Sequence, residues 1–183
     1  MGAASVHVVL VGLMGAGKST VGRRLAKELQ RPFAVVDEQV ELRAGATVPQ
    51  LFASRGEAAF RALEAEVLAE LLASDAPLVV AAGGGAVTGA ANRAALARSG
   101  ACVVWLRASP EFLAGRTDPT HRPLLAGDAR GTLARLLAER APLYAEVADL
   151  TVDVEGFHGG TDKPKRALAR HIAELLADAT VAP

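Results

Sequence analysis

The chain has one cysteine, no excess of either charge and no long apolar run, and each lack removes a class of protein. Cys102 has no second thiol with which to close an internal disulfide, and it sits in an apolar run, where a buried structural thiol in a reducing cytosol is expected. Lys plus Arg and Asp plus Glu stand at 20 each, so no gross field points to nucleic acid or an acidic membrane. No stretch reaches the roughly 18 to 20 consecutive apolar residues of a membrane span. The apolar segment from Val6 to Met14 lacks the basic residues that precede a secretory core and is broken by glycines, so it reads as a strand. Met1-Gly2 begins like a myristoylation signal, but the sixth position is Val6 rather than Ser or Thr. Repeats and long linkers are also missing. With 183 residues, one domain covering 1–183 is expected, cytoplasmic and monomeric.

What is present is an alternation of short β-branched runs with longer stretches of helical period, the pattern of βαβ units around a parallel sheet buried on both faces. Strands are expected at Val6–Val11, Phe33–Val36, Leu78–Ala82, Ala101–Arg107 and Leu150–Val154. Val21, Leu25 and Leu29 mark one helix face, and Phe60, Leu63, Val67 and Leu71 another; both read as core. Ser109-Pro110-Glu111 and Asp162-Lys163-Pro164 are helix starts, with a capping side chain and a proline where no donor is missed.

The strongest local signal is Gly12-Leu13-Met14-Gly15-Ala16-Gly17-Lys18-Ser19, a P-loop between a strand and a helix. Its glycines let the main chain wrap an anion, so Gly15, Ala16, Gly17, Lys18, Ser19 and Thr20 are assigned to the phosphates of ATP. Lys18 would reach the β- and γ-phosphates, and the Ser19 hydroxyl would ligate Mg²⁺. Such a loop alone also serves GTPases, motors and nucleotide or sugar kinases, so the acceptor must be read elsewhere.

Four further features supply candidates. Asp37, at the end of the second strand, can take a proton from an attacking hydroxyl, or simply cap the next helix. Arg61 and Glu64 are helical neighbours at i, i+3, a spacing that ordinarily means an exposed ion pair. Gly83-Gly84-Gly85 after the third strand would admit a ligand close to the main chain. Arg140 lies in a helix that Pro142 is expected to kink or end. Arg122, in a segment without helical or strand period at about 116–128, has the setting of a lid that delivers an arginine to a transferring phosphoryl group.

In order and spacing these segments resemble the shikimate kinase family from Val8 to about His171. They are the P-loop, Asp37 with Val40-Glu41, Phe60-Arg61 with Glu64, Gly83–Gly85 with Ala86-Val87, Arg122-Pro123-Leu124-Leu125 and Arg140-Ala141-Pro142-Leu143-Tyr144. The resemblance implies a three-layer α/β/α fold with a five-stranded parallel sheet in the order 2-3-1-4-5, an acceptor-binding part at about 33–61 and the lid. It implies ATP-dependent phosphorylation of the 3-hydroxyl of shikimate in aromatic amino-acid biosynthesis. Arg61 and Arg140 would clamp the substrate carboxylate, Gly84 and Gly85 would donate backbone N–H groups with Gly83 also at the substrate, and Asp37 would hold ring hydroxyls or act as base, with Lys18 and Arg122 on the phosphoryl group. Arg116 and Pro164 would sandwich adenine. One departure stands out: the family's first acid at the end of the second strand, which helps hold magnesium's water shell, is Val35 here. Mg²⁺ would then rest on Ser19, phosphates and water, and a weaker metal site is expected. A gluconate-type kinase and a catalytically poor nucleotide-binding regulator are the alternative readings.

Overall fold

The computed structural model describes residues 6–116, 128–157, 159 and 161–181. Its centre is β1 (Val8–Val11), four residues that are all buried. An uninterrupted apolar strand of this kind is stable only between covered faces, and β1 lies between β3 (Val79–Ala81) and β4 (Cys102–Arg107), with Val9 opposite both Val80 and Val103. β2 (Phe33–Val35) and β5 (Leu150–Asp153) form the edges, and all pairings are parallel in the order β2-β3-β1-β4-β5. Burying a side chain such as Leu10 is worth about 1.5–3 kcal/mol, and Leu10→Ala would open a cavity costing about 3 kcal/mol.

The strands are shorter than the apolar runs because other partners take the terminal backbone groups. The N–H of Leu78 goes to Nδ1 of His7 at 3.1 Å, and the N–H of Ala101 to the hydroxyl of Ser99, so neither residue joins the ladder through it.

Helices cover both faces of the sheet. On one side α1 (Lys18–Glu28) packs on α7 (Lys163–Val181) through Leu25, Leu168 and Ile172. Across the sheet α3 (Val48–Leu72) packs on α4 (Ala90–Ser99), and α4 on α6 (Ala129–Val147). A capping box starts α3, with Thr47 accepting from the N–H of Gln50 and the Gln50 side chain accepting from the N–H of Thr47. Gly56, at φ 77°, breaks α3 into two helical runs. The short helix α5 (Pro110–Ala114) begins at the expected cap, with Ser109 accepting from the N–H of Phe112. None of the helices among the described residues is long and apolar enough to cross a membrane.

One expectation is corrected and one is narrowed. Phe33–Val36 was expected as strand, but β2 ends at Val35 and the chain turns at once into α2 (Val36–Ala44). Asp37 therefore stands in the first turn of that helix, where its carboxylate meets the positive end of the dipole. Of the two outcomes expected at Pro142, a kink or an end, the end does not occur, since α6 runs on to Val147. The missing N–H is offset by buried side chains on either side of it, Leu133 and Leu136 before and Tyr144 after.

Candidate active site

The chain leaves β1 through Gly12 to Gly17 and enters α1 at Lys18. Gly15 and Gly17 hold φ of 84° and 90°, left-handed values that side chains other than glycine adopt at a cost. The Lys18 ammonium donates to the carbonyls of Gly12 at 2.8 Å and Leu13 at 3.0 Å. The loop opens on a cavity of about 630 Å³. Gly15, Gly17, Lys18, Ser19 and Thr20 line its phosphate end, while Ala16 is buried beneath a small recess beside it.

The opposite end of the cavity gathers Asp37, Arg61, Gly83, Gly84, Gly85 and Arg140. These come from α2, α3, the turn after β3, and α6, so four segments far apart in sequence meet the P-loop at the carboxyl edge of the sheet. Val48, Phe52 and Phe60 form an apolar wall, with the two phenylalanine rings 4.9 Å apart. Phe60 is legible in the sequence only as core, and Val48 and Phe52 carry no signal there.

Arg61 and Glu64 do pair, Nη1 donating to Oε2 at 2.8 Å, but the pair is not the exposed one that the spacing ordinarily means. Glu64 is fully buried, and its second oxygen, Oε1, has no hydrogen-bond partner among the described residues. Burial raises the Glu64 carboxyl above its ordinary pKa; the Arg61 charge opposes this, the Asp37 charge adds to it, and Arg140 opposes it from further off. For Arg61, burial works to lower the pKa but the carboxylates of Glu64 and Glu57 outweigh it, so the guanidinium is held above its usual value. Glu57 grips its other edge at 3.2 Å and Phe60 lies under its plane at 5.1 Å. A flat cation is thus fixed by two carboxylates and a ring, with Gly85 against it.

The glycine turn is glycine for want of room. A Cβ at Gly85 would lie 2.5 Å from Nη2 of Arg61, and one at Gly83 would run into Oε1 of Glu64 and lie 2.9 Å from Oδ1 of Asp37. Neither Gly84 nor Gly85 donates to a backbone carbonyl among the described residues. Arg140 donates from Nη1 to the carbonyl of Gly84 at 3.1 Å, and the buried hydroxyl of Tyr144 donates to the same oxygen at 2.5 Å. In the sequence Tyr144 stands only within the resembling segment Arg140–Tyr144, and its bond cannot be read there because its partner lies 60 residues away.

At the nucleotide end, Arg116 lines both the cavity and the recess, its guanidinium 5.1 Å above the Phe112 ring. Pro164 lines neither. Phe157 and Lys165 stand in the recess instead, beyond the 3₁₀ turn Glu155–Phe157. Arg122 and the rest of the expected lid between 117 and 127 lie outside the described residues.

The donor set bears on a metal. Among the described residues, no group of three or more His, Cys, Asp or Glu could cage an ion. Ser19 offers a hydroxyl to the cavity, and Val35, 8% exposed on the same wall, offers only carbon. Such a set does not fit a resident metal but does fit Mg²⁺ arriving on nucleotide phosphates with most of its water shell.

A family model described as Shikimate kinase matches residues 14–177. Curated relatives are similar over nearly their whole length. The shikimate kinase of Pseudomonas savastanoi pv. phaseolicola is 46% identical over 174 residues, 94% of this chain and 96% of the relative. That of Pseudomonas fluorescens is 47% identical over 173 residues, 93% of this chain and 96% of the relative. Among solved structures, shikimate kinase from Acinetobacter baumannii in complex with shikimate superposes with a TM-score of 0.86 at 40% identity, covering 97% of this chain and 96% of that one.

Proposed function

The chain belongs to the shikimate kinase family, and from that membership and the cavity's geometry we propose that it transfers the γ-phosphoryl group of ATP to the 3-hydroxyl of shikimate, giving shikimate 3-phosphate and ADP. The observation that carries this is two arginine forks, Arg61 and Arg140, converging on a glycine turn across the cavity from a P-loop. A fork matches a carboxylate bidentately, and a charge-assisted hydrogen bond there is worth about 1.5–3 kcal/mol. Gluconate also carries a carboxylate for the forks, so what favours shikimate over it is the apolar wall of Val48, Phe52 and Phe60, which suits a ring better than an open polyol chain. A regulator without catalysis has no need of Asp37 in the same cavity as the P-loop.

Arg61 and Arg140 hold the acceptor carboxylate with the N–H groups of Gly84 and Gly85, and the ring lies against Phe52 and Phe60. Asp37 orients the 3-hydroxyl and takes its proton as the oxygen bonds to the γ-phosphorus; the bond to the β-bridging oxygen breaks and its electrons leave with ADP. Lys18, and Arg122 from the segment at about 116–128, neutralise charge on the transferring group. Arg116 covers the adenine, with Phe157 and Lys165 better placed than Pro164 to complete that site. Mg²⁺ would be held by Ser19 and the nucleotide phosphates and would supply charge neutralisation to the transferring group. The enzyme works as a cytoplasmic monomer in aromatic amino-acid biosynthesis.

A panel of shikimate, quinate, gluconate and AMP, each with ATP and Mg²⁺, separates the readings. Turnover with shikimate far above the others is expected. Tight ATP binding with no shikimate turnover would sink the proposal.

A further inference from the structure

Tyr144 is the chain's only tyrosine and is completely buried, its ring stacked on Trp105 with centroids 5.5 Å apart. Its hydroxyl needs a partner in that setting, and burial pushes the phenol up to about 12, so it is a proton donor at any physiological pH. The donated bond goes to the Gly84 carbonyl, which also accepts from Arg140. Arg140 and Tyr144 are four residues apart on α6, so one helix face delivers both groups to one oxygen.

Two consequences follow from peptide geometry. In a trans peptide the carbonyl of one residue and the N–H of the next point in opposite directions. Drawing the Gly84 carbonyl toward α6 therefore aims the Gly85 N–H away from α6. Gly85 there faces Arg61, whose guanidinium a Cβ would strike. The Gly84 carbonyl is half-buried and takes two protein donors from α6. With Tyr144 supplying one, Arg140 is at liberty to turn its fork to an incoming anion; without it, Arg140 is the remaining protein donor and is held to Gly84.

We propose that Tyr144 is a positioning residue for recognition of the acceptor's carboxylate, fixing the Gly84–Gly85 peptide and releasing Arg140 for the substrate. This rests on the reading of the cavity as the shikimate site. Tyr144 touches no substrate and acts only through the peptide and Arg140, so its loss weakens binding of the carboxylate rather than the chemical step.

The test is Tyr144→Phe, which keeps the ring and its stacking, studied with shikimate and with an analogue whose carboxylate is reduced to a hydroxymethyl group. Calorimetry is expected to show shikimate Kd rising about tenfold, the size of one lost hydrogen bond in a buried setting, with the analogue's Kd and that of ATP changed less than about twofold. In steady state KM for shikimate rises while kcat stays within about twofold. Equal weakening for shikimate and the analogue, or no weakening for either, would overturn the proposal. Failure of the unmodified enzyme to bind shikimate would instead strike the functional reading. A melting temperature for Tyr144→Phe within a few degrees of the parent shows that the comparison is between folded proteins.

Discussion

Arg61 and Glu64 form a pair bonded on one side: Oε2 of Glu64 accepts from Arg61 at 2.8 Å, while Oε1, equally out of solvent, has no hydrogen-bond partner among the described residues. That second oxygen lies where a side chain on Gly83 would stand, next to Asp37. The acceptor end of the cavity thus holds two carboxylates close to two guanidinium groups, and its properties follow from which of them is removed.

Removing Arg61 leaves a buried carboxylate with no cation in contact. Arg61→Ala is expected to lower stability by about 3 kcal/mol, as in other broken buried pairs, beyond its effect on the acceptor. Urea denaturation checks this, with a midpoint shift at unchanged slope as the expected sign. A stability equal to the parent would mean that Glu64 is not paired as described.

The raised pKa of Glu64 has a definite sign in pH. A carboxyl whose folded value exceeds its unfolded one, near 4.5, contributes stability that is complete below that value and is lost as pH rises through the folded value. The stability of the parent minus that of Glu64→Gln should therefore fall as pH is raised from about 4 toward neutrality. Thermal melts of both proteins across that range measure the difference; a difference that grows with pH would contradict the assignment.

Gly83→Ala would drive a methyl group into the space of Glu64 Oε1 and within 2.9 Å of Asp37 Oδ1. Displacing the proposed proton acceptor by about 1 Å from a near-attack arrangement costs about a hundredfold in rate. The expected outcome is a loss in kcat/KM for the acceptor with ATP affinity preserved. Parallel losses for both substrates would point to damage to the sheet instead.

Cys102 tests the reading of β4. Burial, with help from Asp149, pushes its thiol up to about 11, so at pH 8 only about one part in a thousand is thiolate. A thiol reagent should label the folded protein about a hundredfold more slowly than the urea-unfolded one. Equal rates would place the thiol at the surface.

Much of this was legible because it is local. The P-loop declares itself within eight residues, and β1 and β4 are apolar runs that need only to be read as strands buried on both faces. Arg61 and Glu64 were visible as helical neighbours, but the burial that changes an ordinary surface pair into a constrained one comes from Gly83 and Asp37, on other elements. The same holds for Tyr144, whose meaning lies in a carbonyl across the fold, and for Phe52, which faces the cavity because α3 breaks at Gly56 before Phe60. Pro142 was legible as a kink or an end, and core contacts on both sides of it carry the helix past it. Asp37 was read at the strand end and not in the first helical turn because nothing in Val35-Val36 announces that a helix starts without a loop.

The account stands most directly on the identity of the product. Enzyme, ATP, Mg²⁺ and shikimate should be followed by phosphorus and proton NMR until ADP accumulates. The account predicts one phosphate monoester, coupled to the proton at carbon 3 of the ring, formed in equal amount with ADP. Phosphate on another oxygen, or ADP formed with free inorganic phosphate and unchanged shikimate, would contradict it.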